Sequence, residues 1–283
     1  MDKALKKLYQ VKKLEEGLFA VSSSAVMSYV LTGKEKALVL DTAYGFGDLH
    51  AVVRQITDLP LIVVNSHGHI DHTGSNFYFP EPVYLHEADR ELYQKHNEPA
   101  FHRELEKTLW IFQRIFFWRS ILPKHPEEND EKRQNFSNFL PIREGDLFDL
   151  GGLHAEVVEI PGHTPGSIAL FIPEKQLVLA SDGANAATWL FLPESQNLSV
   201  YRNSLYKLRN LPANRILTGH SSKFFSKDDL ETWIRVAEAP DLTGGKPQKQ
   251  AYLAPGADVR QVFAKGHNTR KDPHIVLDLV KAD

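Results

Sequence analysis

A short run of residues, 66–74, concentrates the side chains of this sequence that are best suited to hold a metal ion. It reads Ser-His-Gly-His-Ile-Asp-His-Thr-Gly and places three imidazoles, His67, His69 and His72, and the carboxylate of Asp71 within six positions. Neutral imidazoles and a carboxylate are ligands that a divalent ion such as zinc accepts. The two histidines at positions 67 and 69 point the same way on an extended backbone. The run therefore predicts a metal site, whose chemistry would be hydrolysis by a metal-activated water.

Three further candidate ligands each follow an apolar, strand-like run and stand beside Gly or Pro: His163, Asp182 and His220. Their neighbours allow the backbone to turn sharply where a ligand is needed. With the first run they make seven nitrogen and oxygen ligands, more than one tetrahedral ion can use. Two divalent ions sharing a bridging carboxylate would use all seven. Zinc suits five imidazoles and two carboxylates best, with iron or manganese as alternatives.

The elements that must position these residues are short strands. The β-branched run Leu61–Asn65 leads directly into the metal-binding run and is predicted to be a buried strand. Asp182 and His220 follow the apolar runs 177–181 and 215–218. Strands followed by helices, twice along the chain, favour stacked α and β layers over a doubly wound parallel sheet.

The chain is predicted to form one domain spanning residues 1–283, with a helical insertion and a C-terminal tail added to the layers of strands and helices. Leu105, Leu109, Phe112 and Phe116 are spaced as on one face of a helix, so a helical insertion is expected over about 97–141. The tail from about 240 to 283 is predicted to form strands and loops. The aromatic insertion is expected to cover an apolar substrate, and a buried helix face or a dimer contact is the alternative.

The run H-x-H-x-D-H, a later G-H-T-x-G at 162–166, the strand-ending Asp182 and the G-H pair at 219–220 together resemble the metallo-β-lactamase superfamily over about residues 17–239. The resemblance implies an α/β fold, a four-layer αβ/βα sandwich with the metal site at one edge. It divides the ligands between two ions bridged by Asp182: the first takes His67, His69 and His163, and the second takes Asp71, His72 and His220. Asp41 matches a family position near the site and is predicted to orient a ligand imidazole, with a plain turn carboxylate as the alternative.

Within the superfamily, five His and two Asp ligands resemble the glyoxalase II, lactonase and ribonuclease Z branches. Ribonuclease Z would need a tRNA-binding arm and a basic surface, and the sequence shows neither. The resemblance implies a dinuclear metal-dependent hydrolase that uses hydroxide to cleave a thioester, ester or lactone of a small apolar acyl compound. Asp71 and Asp182 are the expected catalytic residues, since Asp71 can also hold the attacking hydroxide. A phosphodiesterase on the same ions, and a regulatory or ligand-binding protein without turnover, are the alternatives.

The predicted substrate pocket is apolar and aromatic. Its candidate residues are Tyr44, Phe112, Phe116, Asn185 and Trp189. Tyr44 is also a candidate general acid. Acyl-homoserine lactonases typically carry a tyrosine where this chain has Asn185, so the resemblance favours thioesters over lactones.

The amino-acid composition limits the kinds of binding partner that this protein is expected to have. There are 33 Lys and Arg against 36 Asp and Glu, a net charge of −3, so no basic surface argues for nucleic acid. No apolar stretch approaches the ~18 residues of a membrane span. The absence of cysteine excludes thiolate chemistry and fits a reducing compartment. We therefore expect a cytoplasmic protein with a small-molecule substrate and neither a nucleic acid nor a membrane partner; a homodimer through the insertion stays open.

Overall fold

The computed structural model describes residue 5 and residues 8–101, 103, 129–243, 245–247, 253–254, 256–264 and 272–283. Much of the predicted helical insertion, with Phe112 and Phe116, lies outside the described residues. The chain divides into two compact units, the first comprising Met1–Pro141 with Leu150–Gly152 and the second Ile142–Asp149 with Leu153–Asp283.

The first unit is built on a seven-stranded sheet in the order β1-β2-β3-β4-β5-β6-β7. Its strands are β1 (Gln10–Glu15), β2 (Leu18–Ser23), β3 (Val26–Thr32), β4 (Ala37–Leu40), β5 (Leu61–Val64), β6 (Val83–His86) and β7 (Phe139–Ile142). Strands β4, β5 and β6 run parallel, with Leu40 opposite Val64. Because parallel strands end at the same edge, the residues after β4 and after β5 are brought together there.

In the described part of this unit, four short helices accompany the sheet: α1 (Leu49–Val53), α2 (Ile70–Thr73), α3 (Arg90–His96) and α4 (Asp130–Gln134). Helix α1 begins at Asp48, whose carboxylate accepts a hydrogen bond from the Ala51 amide at 2.9 Å and caps the helix. The apolar side of α1 is buried in one cluster with residues of β2 to β6. This packing covers one face of the sheet. The polar residues of the region, including Asp41 and the metal-binding run, follow the ends of the strands.

The second unit contains two sheets. A six-stranded sheet has the order β14-β13-β11-β10-β9-β8, and a four-stranded sheet has the order β12-β17-β16-β15. The first comprises β8 (Leu147–Asp149), β9 (His154–Glu159), β10 (Ile168–Ile172), β11 (Leu177–Ser181), β13 (Arg215–Thr218) and β14 (Ser221–Ser226). The second comprises β12 (Ala187–Leu190), β15 (Lys246–Pro247), β16 (Val259–Phe263) and β17 (His274–Asp278). Strands β11 and β13 are parallel neighbours, so Asp182 and His220 follow strands that end at the same edge.

Among its described residues the second unit also has two longer helices, α5 (Leu198–Asn210) and α6 (Lys227–Glu238). Their apolar faces share one buried cluster with side chains from both sheets, including Trp233 of α6 and Leu205 of α5. Helix α6 begins with a capping box, in which Ser226 and Asp229 satisfy each other's backbone amides. Among the helices in the described part of the chain, none has the length and apolarity needed to cross a membrane.

A buried arginine ties helix α4 to the end of the metal-binding run in the first unit. Arg133 has the largest side chain among the fully buried residues of the described chain. Its guanidinium donates to Asp130 Oδ1 over 3.2 Å and to the Gly74 carbonyl over 3.4 Å, and it lies 5.2 Å from the ring centroid of Phe77. A buried cation needs such partners because its removal from water is costly.

We expect Arg133→Met to lower the free energy of unfolding by about 2–4 kcal/mol, because Asp130 and the Gly74 carbonyl lose a buried donor. Arg143 is the matched control: it is also paired three residues along the chain, with Asp146, but its side chain is 85% exposed. Arg143→Met should change the free energy of unfolding by less than about 0.5 kcal/mol. Urea denaturation of both variants measures the difference, and equal losses would contradict the role given to Arg133.

Candidate metal centre

The metal-binding run begins where β5 ends, and Asp41 holds its first residue. The Asp41 carboxylate, which follows β4 and is buried, accepts hydrogen bonds from the Ser66 amide at 2.7 Å and from the Ser66 hydroxyl at 2.9 Å. Asp41 has a positive φ of 66°, an unusual backbone conformation that directs its carboxylate toward Ser66. The parallel register of β4 and β5 is therefore what brings this carboxylate to the run.

Hydrogen bonds also select which ring nitrogen of His67 is available as a ligand. Because the Ser66 hydroxyl donates to Asp41, its oxygen accepts from Nδ1 of His67, 2.9 Å away, and the lone pair is then on Nε2 of His67. That Nε2 lies 3.1 Å from Nδ1 of His69. Two nitrogens bound to one tetrahedral zinc at about 2.0–2.1 Å would be about 3.3 Å apart, so this spacing fits a shared ion.

His72 is oriented in the same way. Its Nδ1 donates to Asp41 Oδ2 over 2.8 Å, which places the lone pair on Nε2, and this nitrogen lies 3.4 Å from Asp71 Oδ2. The side chain of His72 is fully buried, whereas that of Asp71 is 19% exposed. The pair therefore offers a nitrogen and an oxygen ligand side by side, with the carboxylate nearer the solvent.

A buried polar network fixes the backbone of the run. The His72 carbonyl accepts from the Thr42 amide at 2.7 Å and from the Asn65 side chain at 3.1 Å. Asn76 joins these two residues, since it accepts from the Thr42 hydroxyl and donates to Asn65 Oδ1, both over 2.7 Å. Such a closed network holds the ligand backbone rigidly before any ion binds.

Two residues that support the metal-binding run, Asp89 and His96, belong to no motif by which the sequence could have identified them. The buried carboxylate of Asp89 accepts from the Gly68 amide at 2.8 Å, and a Cβ added at Gly68 would lie 2.8 Å from the Asp89 carbonyl oxygen. His96, in α3, stacks on the His69 ring with centroids 5.0 Å apart and planes at 13°. Phe101 stacks on the other side of His96, 4.2 Å away. Helix α3 and the turn before it therefore support the first half of the run.

The second unit brings its three predicted ligands together around one oxygen. Asp182 Oδ2 lies 3.0 Å from Nε2 of His220 and 3.8 Å from Nε2 of His163. Asp182 and His163 are buried, and the His220 side chain is 44% exposed. A carboxylate oxygen between two imidazole nitrogens is the arrangement expected of a residue that could bridge two ions.

His163 is oriented by main-chain groups. Its Nδ1 donates to the carbonyl oxygen of Trp189 over 2.8 Å, so Nε2 carries the lone pair and faces Asp182. The Ser195 hydroxyl donates to the His163 carbonyl over 2.9 Å, and the Gln196 amide donates to the Gly162 carbonyl over 2.8 Å. The segment 189–196 thus sets both the ring and the backbone of this histidine.

The described residues of the predicted substrate pocket contact neighbours that are close to them in the sequence. Tyr44 is half-buried and stacks on Phe46 with ring centroids 5.3 Å apart. The Asn185 side chain accepts from the Ala187 amide over 2.7 Å and shapes a turn. The half-buried Trp189 ring lies against Phe191, while its carbonyl orients His163. Their contact with a substrate stays a prediction, as it does for Phe112 and Phe116, which lie outside the described residues.

A phenol beside the run keeps its proton. Burial raises the pKa of Tyr93 well above its usual value, and nearby Arg133 lowers it only in part. The ring of Tyr93 packs on Phe139 with centroids 4.6 Å apart, and its backbone lies close to Gly68. Tyr93 is therefore a neutral packing residue behind the run.

The donor set fits divalent metal ions. Imidazole nitrogens with lone pairs fixed by partners on the other ring nitrogen, together with two carboxylates, are the ligands found in zinc and iron sites. Within each unit these ligand atoms already converge.

Comparisons with known proteins bear on the same residues. The sequence profile of the Metallo-beta-lactamase superfamily matches residues 23–220, which include all seven predicted ligands. Acyl-coenzyme A thioesterase MBLAC2 from Bos taurus is 24% identical over 243 residues, covering 76% of this chain and 82% of that protein. Hydroxyacylglutathione hydrolase GloC from Haemophilus influenzae is 24% identical over 163 residues, covering 55% of this chain and 64% of that protein.

Among solved structures, the metallo-beta-lactamase family protein TTHA1429 from Thermus thermophilus matches with a TM-score of 0.54 and 23% identity. The match covers 86% of this chain and 89% of that one. This likeness shows a shared fold, and the α/β sandwich expected from the sequence is confirmed.

Proposed function

Because the chain belongs to the metallo-beta-lactamase superfamily, we propose that it is a dinuclear hydrolase of acyl thioesters. That it is a metal-dependent hydrolase follows from the family and from its similarity to two hydrolases. Those relatives are named for acyl-coenzyme A and hydroxyacylglutathione, and both compounds carry an acyl thioester. The substrate class proposed for this chain is a thioester of a small apolar acyl group.

The proposed ligands follow the division expected from the family. One ion would be held by His67, His69 and His163, the other by Asp71, His72 and His220, with Asp182 shared by both. The single observation that carries this proposal is the position of Asp182 Oδ2, 3.8 Å from His163 and 3.0 Å from His220, which are assigned to different ions. Zinc is the proposed metal, because five imidazoles and two carboxylates suit it best.

When bound, the two ions would lower the pKa of a water molecule and polarise the thioester carbonyl. Asp71, whose carboxylate is partly exposed, would accept a hydrogen bond from that water and orient it toward the carbonyl carbon. The water oxygen would add to the carbonyl carbon and the carbon–sulfur bond would break, so that the acyl group becomes a carboxylic acid. The sulfur would leave as a thiol that has taken up the proton lost by the water. His220 is the most exposed of the proposed ligands in the second unit, with 44% of its side chain exposed.

The test is a substrate panel on protein purified without added metal and analysed for its elements. The panel contains an acyl-coenzyme A, an acylglutathione, an acyl-homoserine lactone and bis(p-nitrophenyl) phosphate. We expect about two ions per chain and thioester turnover at least roughly 100-fold above that of the lactone and the phosphodiester. Chelation should abolish this turnover, and added zinc should restore it.

Other outcomes would replace the proposal. Turnover of the phosphodiester without that of the thioesters would make the chain a phosphodiesterase. Two bound ions with no turnover on any of the four probes would favour a ligand-binding protein. Thioester hydrolysis that survives complete removal of metal would contradict the role of the ions.

A further inference from the structure

The last twelve residues, 272–283, form a segment that lies beyond the family match, which ends at residue 220. We call this the C-terminal segment. Its strand β17 pairs in parallel with β12, so that Ala187 lies opposite His274 and Trp189 opposite Val276. The side chains of β17 are largely buried, and Leu277 belongs to the main core cluster of the second unit. The segment is therefore an integral part of this unit.

After β17 the chain forms a short 3₁₀ turn, Leu279–Lys281, and the ammonium group of Lys281 contacts three backbone carbonyls. They belong to Leu192, to Pro193 at 3.4 Å and to Ser195 at 2.7 Å. A lysine ammonium has three N–H donors, so it can serve all three oxygens at once. Burial lowers the pKa of Lys281, while Glu194 and Asp278 raise it. The Lys281 ammonium group therefore donates hydrogen bonds to a single backbone loop, residues 192–195.

That loop and β12 both contact His163 in ways that orient it. The Trp189 carbonyl, in β12, accepts from Nδ1 of His163, and the Ser195 hydroxyl donates to the His163 carbonyl. The C-terminal segment holds both of them, β12 through the strand pairing and the loop through Lys281. A continuous set of contacts therefore leads from the end of the chain to a predicted metal ligand.

We propose that the C-terminal segment is a positioning element for the metal centre and that Lys281 is its positioning residue, acting on His163 through the 192–195 loop. The inference rests on the proposed function, since it takes His163 as a ligand. Removal of the ammonium would release the loop carbonyls and loosen the hydrogen bond from Ser195. The imidazole would then be held less firmly in the orientation that an ion requires.

The experiment measures metal binding rather than turnover. Lys281→Met, Lys281→Arg and the wild type are stripped of metal and titrated with Co²⁺, read by its d–d absorption, and with Zn²⁺ in competition with a chromophoric chelator. We expect Lys281→Met to weaken binding of at least one ion by roughly 10- to 100-fold and to alter the Co²⁺ spectrum. Lys281→Arg, which keeps a cationic donor, should restore most of both.

Arg215→Met is the matched control. Arg215 also donates to a backbone carbonyl, that of Lys175 at 2.8 Å, but it lies at the start of β13, opposite the end that leads to His220. This variant should keep the wild-type Co²⁺ spectrum even where it loses stability. Thermal melts of all variants identify the temperature range in which each is folded.

Ser195→Ala provides an independent test that leaves the C-terminal segment intact. If Lys281 acts through the loop, the double variant Lys281→Met/Ser195→Ala should bind metal little more weakly than the weaker single variant. Wild-type affinity and spectrum in folded Lys281→Met, or additive effects in the double variant, would overturn the inference. A wild-type chain that binds no metal would instead refute the proposed function, so the two failures are distinguishable.

Discussion

Asp182→Ala should lower the bound metal from about two ions per chain toward one or none and abolish thioester hydrolysis. The carboxylate is proposed to be shared, so its loss would remove one ligand from each ion and the negative charge between the two divalent cations. One oxygen, Oδ2, lies near both imidazoles of the second unit, at 3.0 Å from His220 and 3.8 Å from His163. We expect a fall in kcat/KM of at least roughly 10³-fold, the largest effect of any single substitution proposed for this chain.

Elemental analysis and steady-state kinetics on the same preparation measure this effect. Asp182→Asn, which keeps the shape and removes the charge, should resemble Asp182→Ala in metal content. Asp149→Ala is the control, because Asp149 lies in the same unit with its side chain 67% exposed and should leave both quantities unchanged. Two bound ions and normal activity in Asp182→Ala would refute the dinuclear proposal.

The second large effect is expected at Asp41, which contacts the metal-binding run without being a proposed ligand. Its carboxylate accepts from the Ser66 amide, the Ser66 hydroxyl and Nδ1 of His72, over 2.7–2.9 Å. In Asp41→Asn the amide nitrogen would face a donor in either orientation, the Ser66 amide in place of Oδ1 or the Ser66 hydroxyl and His72 Nδ1 in place of Oδ2. We therefore expect a loss of about 2–4 kcal/mol in the free energy of unfolding. The lone pair on Nε2 of His72 would lose its fixed direction, and metal affinity should fall roughly 10- to 100-fold.

Asn is chosen because position 41 has a φ of 66°, a conformation that Asn adopts more readily than most residues. The substitution therefore tests the carboxylate rather than the backbone. Asp48→Asn is the control: Asp48 caps α1 in the same unit, and Asn caps a helix equally well. Urea denaturation of the metal-free proteins and zinc competition titrations give the two quantities. An Asp41→Asn protein with wild-type metal affinity would show that the carboxylate does not orient a ligand.

The sequence by itself determined the donor types, their order along the chain and the family. His67, His69, Asp71 and His72 lie within one run, and the residues that bracket them are the small and turn-forming ones that such a run requires. The strand before the metal-binding run can also be predicted from the sequence, since the predicted strand Leu61–Asn65 is observed as Leu61–Val64. These are local properties, because side-chain chemistry and the alternation of apolar residues are present in the chain before it folds.

The supporting contacts depend on the tertiary structure. The sequence predicts Trp189 as a pocket residue for its ring, whereas the structure shows its backbone carbonyl receiving the hydrogen bond from His163. The buried Asp89 and His96 could not be singled out, and neither could Lys281, 118 positions after His163. Every residue has a backbone carbonyl, so the residue type does not indicate which carbonyl will accept a hydrogen bond from a ligand. Which carbonyl meets which donor is decided only when the strand register and the packed helices bring distant segments together.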